Sequence, residues 1–178
     1  MPSRHPLHSA HAVALAIGIV VAGCSSASDT APVAHPPIVE SVVDGDTIRV
    51  RFGDRVEIVR LLGIDTPESV DPNRPEQCFG AEATGRLSDL LPTGSVVRIE
   101  RDVEGRDQYG RLLGYVFAAE AGFVNERLLA EGFADLSIIG ANRSYSGPLT
   151  NAYTAARTSE RGLWRTCGGP DVPLDPAR

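Results

Sequence analysis

Between Ile38 and Trp164 apolar and polar residues alternate with a period that changes along the chain. Three strand-like runs come first, I-V-E-S-V-V from Ile38, D-T-I-R-V-R-F from Asp46 and R-V-E-I-V-R-L-L from Arg55. Gly53 and Asp54 separate the second from the third, as expected of a hairpin. Successive strand side chains face opposite ways, so Asp46 shares a parity with Ile48, Val50 and Phe52. In the next run the set Val56, Ile58, Leu62 and Ile64 includes Arg60, while Arg49, Arg51, Arg55 and Glu57 read as a solvated face. The alternation therefore predicts an aspartate and an arginine on the buried sides of neighbouring strands. Charge left unpaired there is costly, so both need partners.

The period then lengthens. Phe79, Ala83, Leu87 and Leu90 predict a helix from about Phe79 to Leu91. A strand S-V-V-R-I-E-R from Ser95 leads through a polar loop to R-L-L-G-Y-V-F from Arg111. A second helix covers V-N-E-R-L-L-A-E and stops at Gly132. A third runs from about Pro148 to Glu160, with Leu149, Ala152, Tyr153 and Ala156 as its apolar set. This order predicts an α+β, mainly β protein, a five-stranded OB-type β-barrel with three α-helices.

The ends follow other rules. An apolar run at residues 12–22 follows a short start with Arg4 and closes on V-A-G-C. It has the length of a signal-peptide core and is too short for a membrane span, and its end resembles the lipobox of bacterial lipoproteins. The expectation is a lipoprotein signal peptide over residues 1–23, lipidation at Cys24 and a flexible tether over 24–37. The folded domain would occupy 38–167, with a loose tail over 168–178. Such a protein is extracytoplasmic and anchored to the cell membrane; cleavage just after S-S-A would make it secreted instead. With Cys24 acylated, Cys78 and Cys167 remain, and an oxidising compartment favours one disulfide over two unrelated buried thiols.

Composition narrows the chemistry. All 17 basic residues are arginine and the net charge is −6, so a polyanion must be met by a local site and not by a broad basic surface. Asp46, Asp65, Glu68, Arg60 and Arg111 supply oxygen ligands for a hard cation and two guanidinium forks suited to phosphate. No histidine lies beyond position 35, which argues against zinc and against a serine–histidine nucleophile. General-base work then falls to a carboxylate or a metal-bound water.

V-V-D-G-D-T at 42–47, R-L-L-G-I-D-T-P-E at 60–68 and D-Q-Y-G-R at 107–111 resemble the thermonuclease, or staphylococcal-nuclease-like, family. The resemblance spans about residues 38–164 and keeps the order of all three motifs. It implies an OB-type barrel with three helices and calcium-dependent hydrolysis of DNA and RNA to 3′-phosphate products. Residue by residue, it implies calcium on the side chains of Asp46 and Asp65 and on the Thr66 carbonyl, with Asp44 supporting them. Glu68 would be the general base, Arg60 and Arg111 would stabilise the phosphoryl transition state, and Tyr109 would contact phosphate. P-E-Q-C-F-G and G-L-W-R-T-C-G suit an exported branch with a Cys78–Cys167 bridge. The chain departs from the family at Gln108, and at Ser137 and Ile139, where tyrosines would line a base pocket. DNA and RNA are the expected substrates, the membrane a partner through the lipid, and the chain a monomer. The competing expectation is a non-catalytic OB-fold module that binds nucleic acid or another partner.

Overall fold

A computed structural model describes residues 35–69 and 76–174. The signal peptide, Cys24, most of the tether and the last four residues lie outside the described residues. Strands β1 (Ile38–Asp44), β2 (Thr47–Phe52) and β3 (Arg55–Leu61) form an antiparallel meander. β5 (Val97–Glu100) and β6 (Leu112–Ala118) complete the barrel, with β6 parallel to β3 and antiparallel to β5. The ends meet at an antiparallel bridge between Ile38 and Val96, where Val39 N–H donates to Ser95 O at 2.9 Å and Val97 N–H to Pro37 O at 3.0 Å. This closes a five-stranded OB-type barrel, as the alternation predicts.

The hairpin register corrects the parity expected for β3. Phe52 faces Arg55, Ile48 faces Val59 and Thr47 faces Arg60. A two-residue turn pairs even positions of β2 with odd positions of β3. The inward residues of β3 are therefore Val59 and Leu61, whereas Val56 is 41% exposed. Arg60 stands with Thr47 on the outer face, not among the core side chains. Glu57, expected on the solvated face, takes the inward parity at the hairpin end and accepts two hydrogen bonds from Arg106 at 3.0 Å.

Gly63 breaks the alternation. Its φ of +77° is open to glycine, and a Cβ there would lie 2.3 Å from Leu149 Cδ1. After this bend β4 (Gly63–Asp65) leaves the barrel and pairs with β8 (Asp135–Ser137) in a separate two-stranded sheet. A short β7 (Gly122–Phe123) pairs with β6.

The three expected helices are present as α1 (Gly80–Leu90), α2 (Val124–Glu131) and α3 (Ser146–Thr158), followed by the single turn α4 (Leu163–Thr166). α1 buries Ala83, Leu87 and Leu90, α2 ends at Gly132 with φ 80°, and α3 buries Leu149, Ala152 and Ala156. Phe79, expected within the first helix, caps it instead in a left-handed conformation with φ 75°. α2 packs on α3 and on β6. Its fully buried Asn125 accepts Val116 N–H at 2.9 Å and donates to Leu62 O at 2.8 Å. That amide ties the helix to the two strands whose ends carry site residues.

The tail also differs from expectation. Cys78 and Cys167 form a disulfide. Beyond it Cys78 N–H donates to Val172 O at 2.8 Å and Leu174 N–H to Glu76 O at 2.9 Å. Residues 171–174 thus carry ordered pairing where their Gly- and Pro-rich surroundings suggested a loose end, because the disulfide leaves them only a few residues of freedom.

Candidate active site

The acids come from two turns. Asp44 ends β1, Asp46 follows in the turn to β2, and Asp65 ends β4 beyond the Gly63 bend, leading into Thr66, Pro67 and Glu68. Asp46 is 5% exposed. Its Oδ1 accepts the Thr47 hydroxyl at 2.9 Å, and its Oδ2 accepts Thr66 N–H at 3.2 Å and the Thr66 hydroxyl at 3.3 Å. Thr66, buried itself, therefore joins the two turns.

Arg60 reaches the acids from the outer face of β3. Its Nη1 donates to the carbonyls of Leu61 and Ile64 at 3.0 and 2.9 Å, holding the guanidinium across the bend. Its Nη2 lies 2.6 Å from Asp65 Oδ1 and 3.0 Å from Asp46 Oδ2. One nitrogen bridging two carboxylates marks a point where both aim at positive charge.

Asp44 accepts Gly45 N–H at 2.8 Å, the Ser69 hydroxyl at 2.8 Å and the Thr84 hydroxyl at 3.1 Å. Burial pushes its carboxyl above the ordinary value, against the Ser69 and Gly45 hydrogen bonds. Burial also raises Asp65, offset in part by Arg60. Although 56% of the Asp65 side chain is accessible, the neighbouring carboxylates of Asp46, Asp171 and Asp135 push in the same direction.

Arg111 arrives from the other side, on the turn preceding β6. Asp107 organises that turn, accepting the backbone N–H groups of Tyr109 at 3.0 Å and Arg111 at 2.9 Å, and Arg111 Nε at 2.6 Å. Burial alone would raise the Asp107 carboxyl, but the Arg111 hydrogen bonds hold it below the ordinary value.

Asp44, Asp46, Asp65, Glu68, Arg60 and Arg111 all line one recess of about 190 Å³, with Thr47, Thr66, Gln77 and Asp171 beside them. Arg60 and Arg111 also border a second cleft of about 490 Å³, which holds Tyr109, Gln108, Ser137 and Ile139. Tyr109 is 75% exposed, with the Arg111 guanidinium 5.5 Å from its ring centre. The two arginines thus stand where an acidic recess meets a larger, more apolar cleft. That junction can take a phosphate between a cation and an attached nucleoside-sized group.

Among the described residues no three Asp, Glu, His or Cys side chains group closely enough to chelate an ion unaided. Two carboxylates converging on one guanidinium nitrogen nonetheless fit a hard divalent ion completed by carbonyl and water oxygens. Sequence reasoning missed Asp107, Thr47, Gln77 and Asp171. Asp107 was legible as the first residue of D-Q-Y-G-R, whereas Asp171 carries no local signal at all.

Comparison with known proteins shows the family of the chain. Residues 58–166 match the family model described as staphylococcal nuclease homologue. The chain is 37% identical over 123 residues to the thermonuclease of Staphylococcus hyicus, covering 69% of this chain and 72% of that protein. It is 38% identical over 127 residues to the thermonuclease of Staphylococcus intermedius, covering 71% and 74% respectively. With endonuclease YncB of Bacillus subtilis (strain 168) it shares 34% identity over 131 residues, covering 73% of this chain and 61% of the other. The chain belongs to the staphylococcal nuclease family, a hydrolase of the nuclease class.

Proposed function

We propose that the chain is a calcium-dependent phosphodiesterase that hydrolyses DNA and RNA to 3′-phosphate products. The observation that carries this is the convergence of Asp46, Asp65, Glu68, Arg60 and Arg111 on one recess. Asp46, Asp65 and the Thr66 carbonyl would hold the ion, which when bound polarises a phosphoryl oxygen and offsets phosphate charge. Asp44 holds the Ser69 hydroxyl, next to Glu68, and so steadies the segment that carries the base.

Glu68 takes a proton from the attacking water as its oxygen bonds to phosphorus. The P–O5′ bond breaks, and the leaving oxygen takes a proton from solvent and departs as the 5′-alcohol. Arg60 and Arg111 donate to the phosphoryl oxygens as negative charge builds on them. Tyr109 and the larger cleft would receive the adjoining nucleotide. We also propose export and membrane anchoring through Cys24, on the strength of the V-A-G-C end of the leader.

The test is cleavage of single-stranded and duplex DNA and of RNA by the full chain, with calcium and then with chelator. Glu68→Gln should lower kcat by roughly 10²–10⁴-fold and Arg60→Ala by about 10²–10³-fold. Calcium-independent cleavage would overturn the metal assignment. Binding without turnover in a folded protein would favour the non-catalytic module. When the chain is expressed with its leader in a bacterium, wild type should fractionate with the membrane and take up labelled palmitate, and Cys24→Ala should lose the label; a soluble, unlabelled wild type would favour a secreted form.

A further inference from the structure

Glu68 is held from the far side of the sequence by Gln77. Glu68 N–H donates to Gln77 Oε1 at 2.7 Å, and Gln77 N–H donates back to Glu68 O at 2.8 Å. Gly80 then passes so close that a Cβ there would lie 2.5 Å from Glu68 O and 3.2 Å from Pro67 O. The backbone of Glu68 is therefore gripped at its N–H and its carbonyl by one short segment.

That segment is itself held by the C-terminal tail. Gln77 Nε2 donates to Asp171 Oδ1 at 3.1 Å. Gln77 lies opposite Pro173 in an antiparallel bridge, flanked by the backbone bonds of Cys78 to Val172 and of Leu174 to Glu76. The disulfide from Cys78 to Cys167 fixes the same two stretches covalently. Phe79 and Asp171, with φ 75° and 58°, are non-glycine residues in the left-handed region on either side of this clasp. Such conformations persist only where the surroundings over-determine them.

An amide has an accepting and a donating end, and Glu68 N–H requires the accepting one. A carboxylate can only accept, so Asp171 selects the Gln77 orientation that offers Oε1 to Glu68. We propose that Gln77 is the positioning residue for Glu68, and that the disulfide-anchored tail takes part in the site by orienting the Gln77 amide through Asp171. This rests on Glu68 as the base. A base must sit within hydrogen-bond reach of its water, and a displacement near 1 Å can cost about 10²-fold in rate. The clasp supplies that placement from outside the barrel.

The full chain, disulfide intact, tests this through steady-state cleavage and amide hydrogen exchange. Gln77→Ala should lower kcat by about 10–10²-fold with KM and the calcium half-saturation nearly unchanged. Asp171→Ala should lower kcat less, and Asp171→Asn should restore most of that loss, because an amide oxygen still accepts. Gln77→Glu sets two acceptors face to face and should be slow; adding Asp171→Asn supplies a donor and should recover rate. In wild type the Glu68 amide should exchange slowly, and Gln77→Ala should speed it at least about tenfold. Unchanged kcat or unchanged Glu68 exchange in Gln77→Ala would overturn the proposal. So would a raised calcium requirement shared by Asp171→Ala and Asp171→Asn, which would make Asp171 an ion ligand instead. Exchange is read without turnover, so an inactive wild type would sink the nuclease mechanism while the clasp is still judged by itself.

Discussion

Arg60 and Arg111 are both arginines beside carboxylates, but they are held differently. Arg60 bridges Asp46 and Asp65, the two carboxylates that would hold the cation, and braces two carbonyls. Arg111 pairs, among the described acids, with Asp107, through its backbone N–H and its Nε, and its side chain lines the recess. An arginine fork aimed in advance loses less freedom on meeting phosphate than a mobile one. Asp107→Ala removes the aim without removing the charge. It should lower kcat by about tenfold, against about 10²–10³-fold for Arg111→Ala. Steady-state kinetics on a single-stranded oligonucleotide check this. Equal losses in the two variants would mean that Asp107 holds up the whole turn, and loss in neither would remove Arg111 from the mechanism.

Elements carry the site only as well as they are joined. α1 and α2 are linked by Glu131, which accepts Arg86 Nε at 2.6 Å and Nη2 at 2.9 Å, and Arg127 Nε at 3.0 Å. The Arg86 hydrogen bonds, above all, hold the Glu131 carboxyl below the ordinary carboxylate value, against the effect of burial. A depressed folded pKa means that the stabilisation is present above the unfolded value and fades as pH falls through the folded one. Glu131→Gln should therefore cost about 1 kcal/mol in urea unfolding near pH 7, and much less at an acid pH below the folded value, where wild type is protonated too. An equal gap at both pH values would sink the ionic account. The elements themselves were largely legible: α2 and its Gly132 stop follow from periodicity and end signals, and the three meander strands from alternation. The face of β3 was not, because I-V-R-L-L is apolar at both parities. Only the register imposed by the Gly53-Asp54 turn decides that Val59 and Leu61 point inward. Arg60 consequently meets the acids from outside the barrel, a route that alternation alone does not reveal.

At the scale of the whole molecule, the site joins motifs from three distant stretches, and the tail adds a fourth. The three motifs are local in sequence and could be read there, whereas Asp171 reaches the recess only because a disulfide spanning 89 residues returns the chain to Gln77. Net charge sets how the molecule meets a polyanion. At −6, with no lysine, it lacks the net positive charge that gathers phosphates at long range. Near the recess Arg106 is occupied by Glu57, and on the helices Arg86 and Arg127 are occupied by Glu131. Among the described residues Arg60 and Arg111, themselves paired to Asp46, Asp65 and Asp107, are the two guanidiniums that line both the recess and the cleft. Each phosphate neutralised on a single strand contributes about 0.7 to the slope of log affinity against log salt. Both arginines meet the same phosphate, so the predicted slope is about −0.7. The measurement is the Kd of the Glu68→Gln chain for a labelled single-stranded oligonucleotide at fixed calcium across a potassium chloride series. A slope near that value, flattened further in Arg111→Ala, would mean that the substrate is gripped at one phosphate junction. A slope several times steeper would require a basic track along the strand, built from arginines outside the recess.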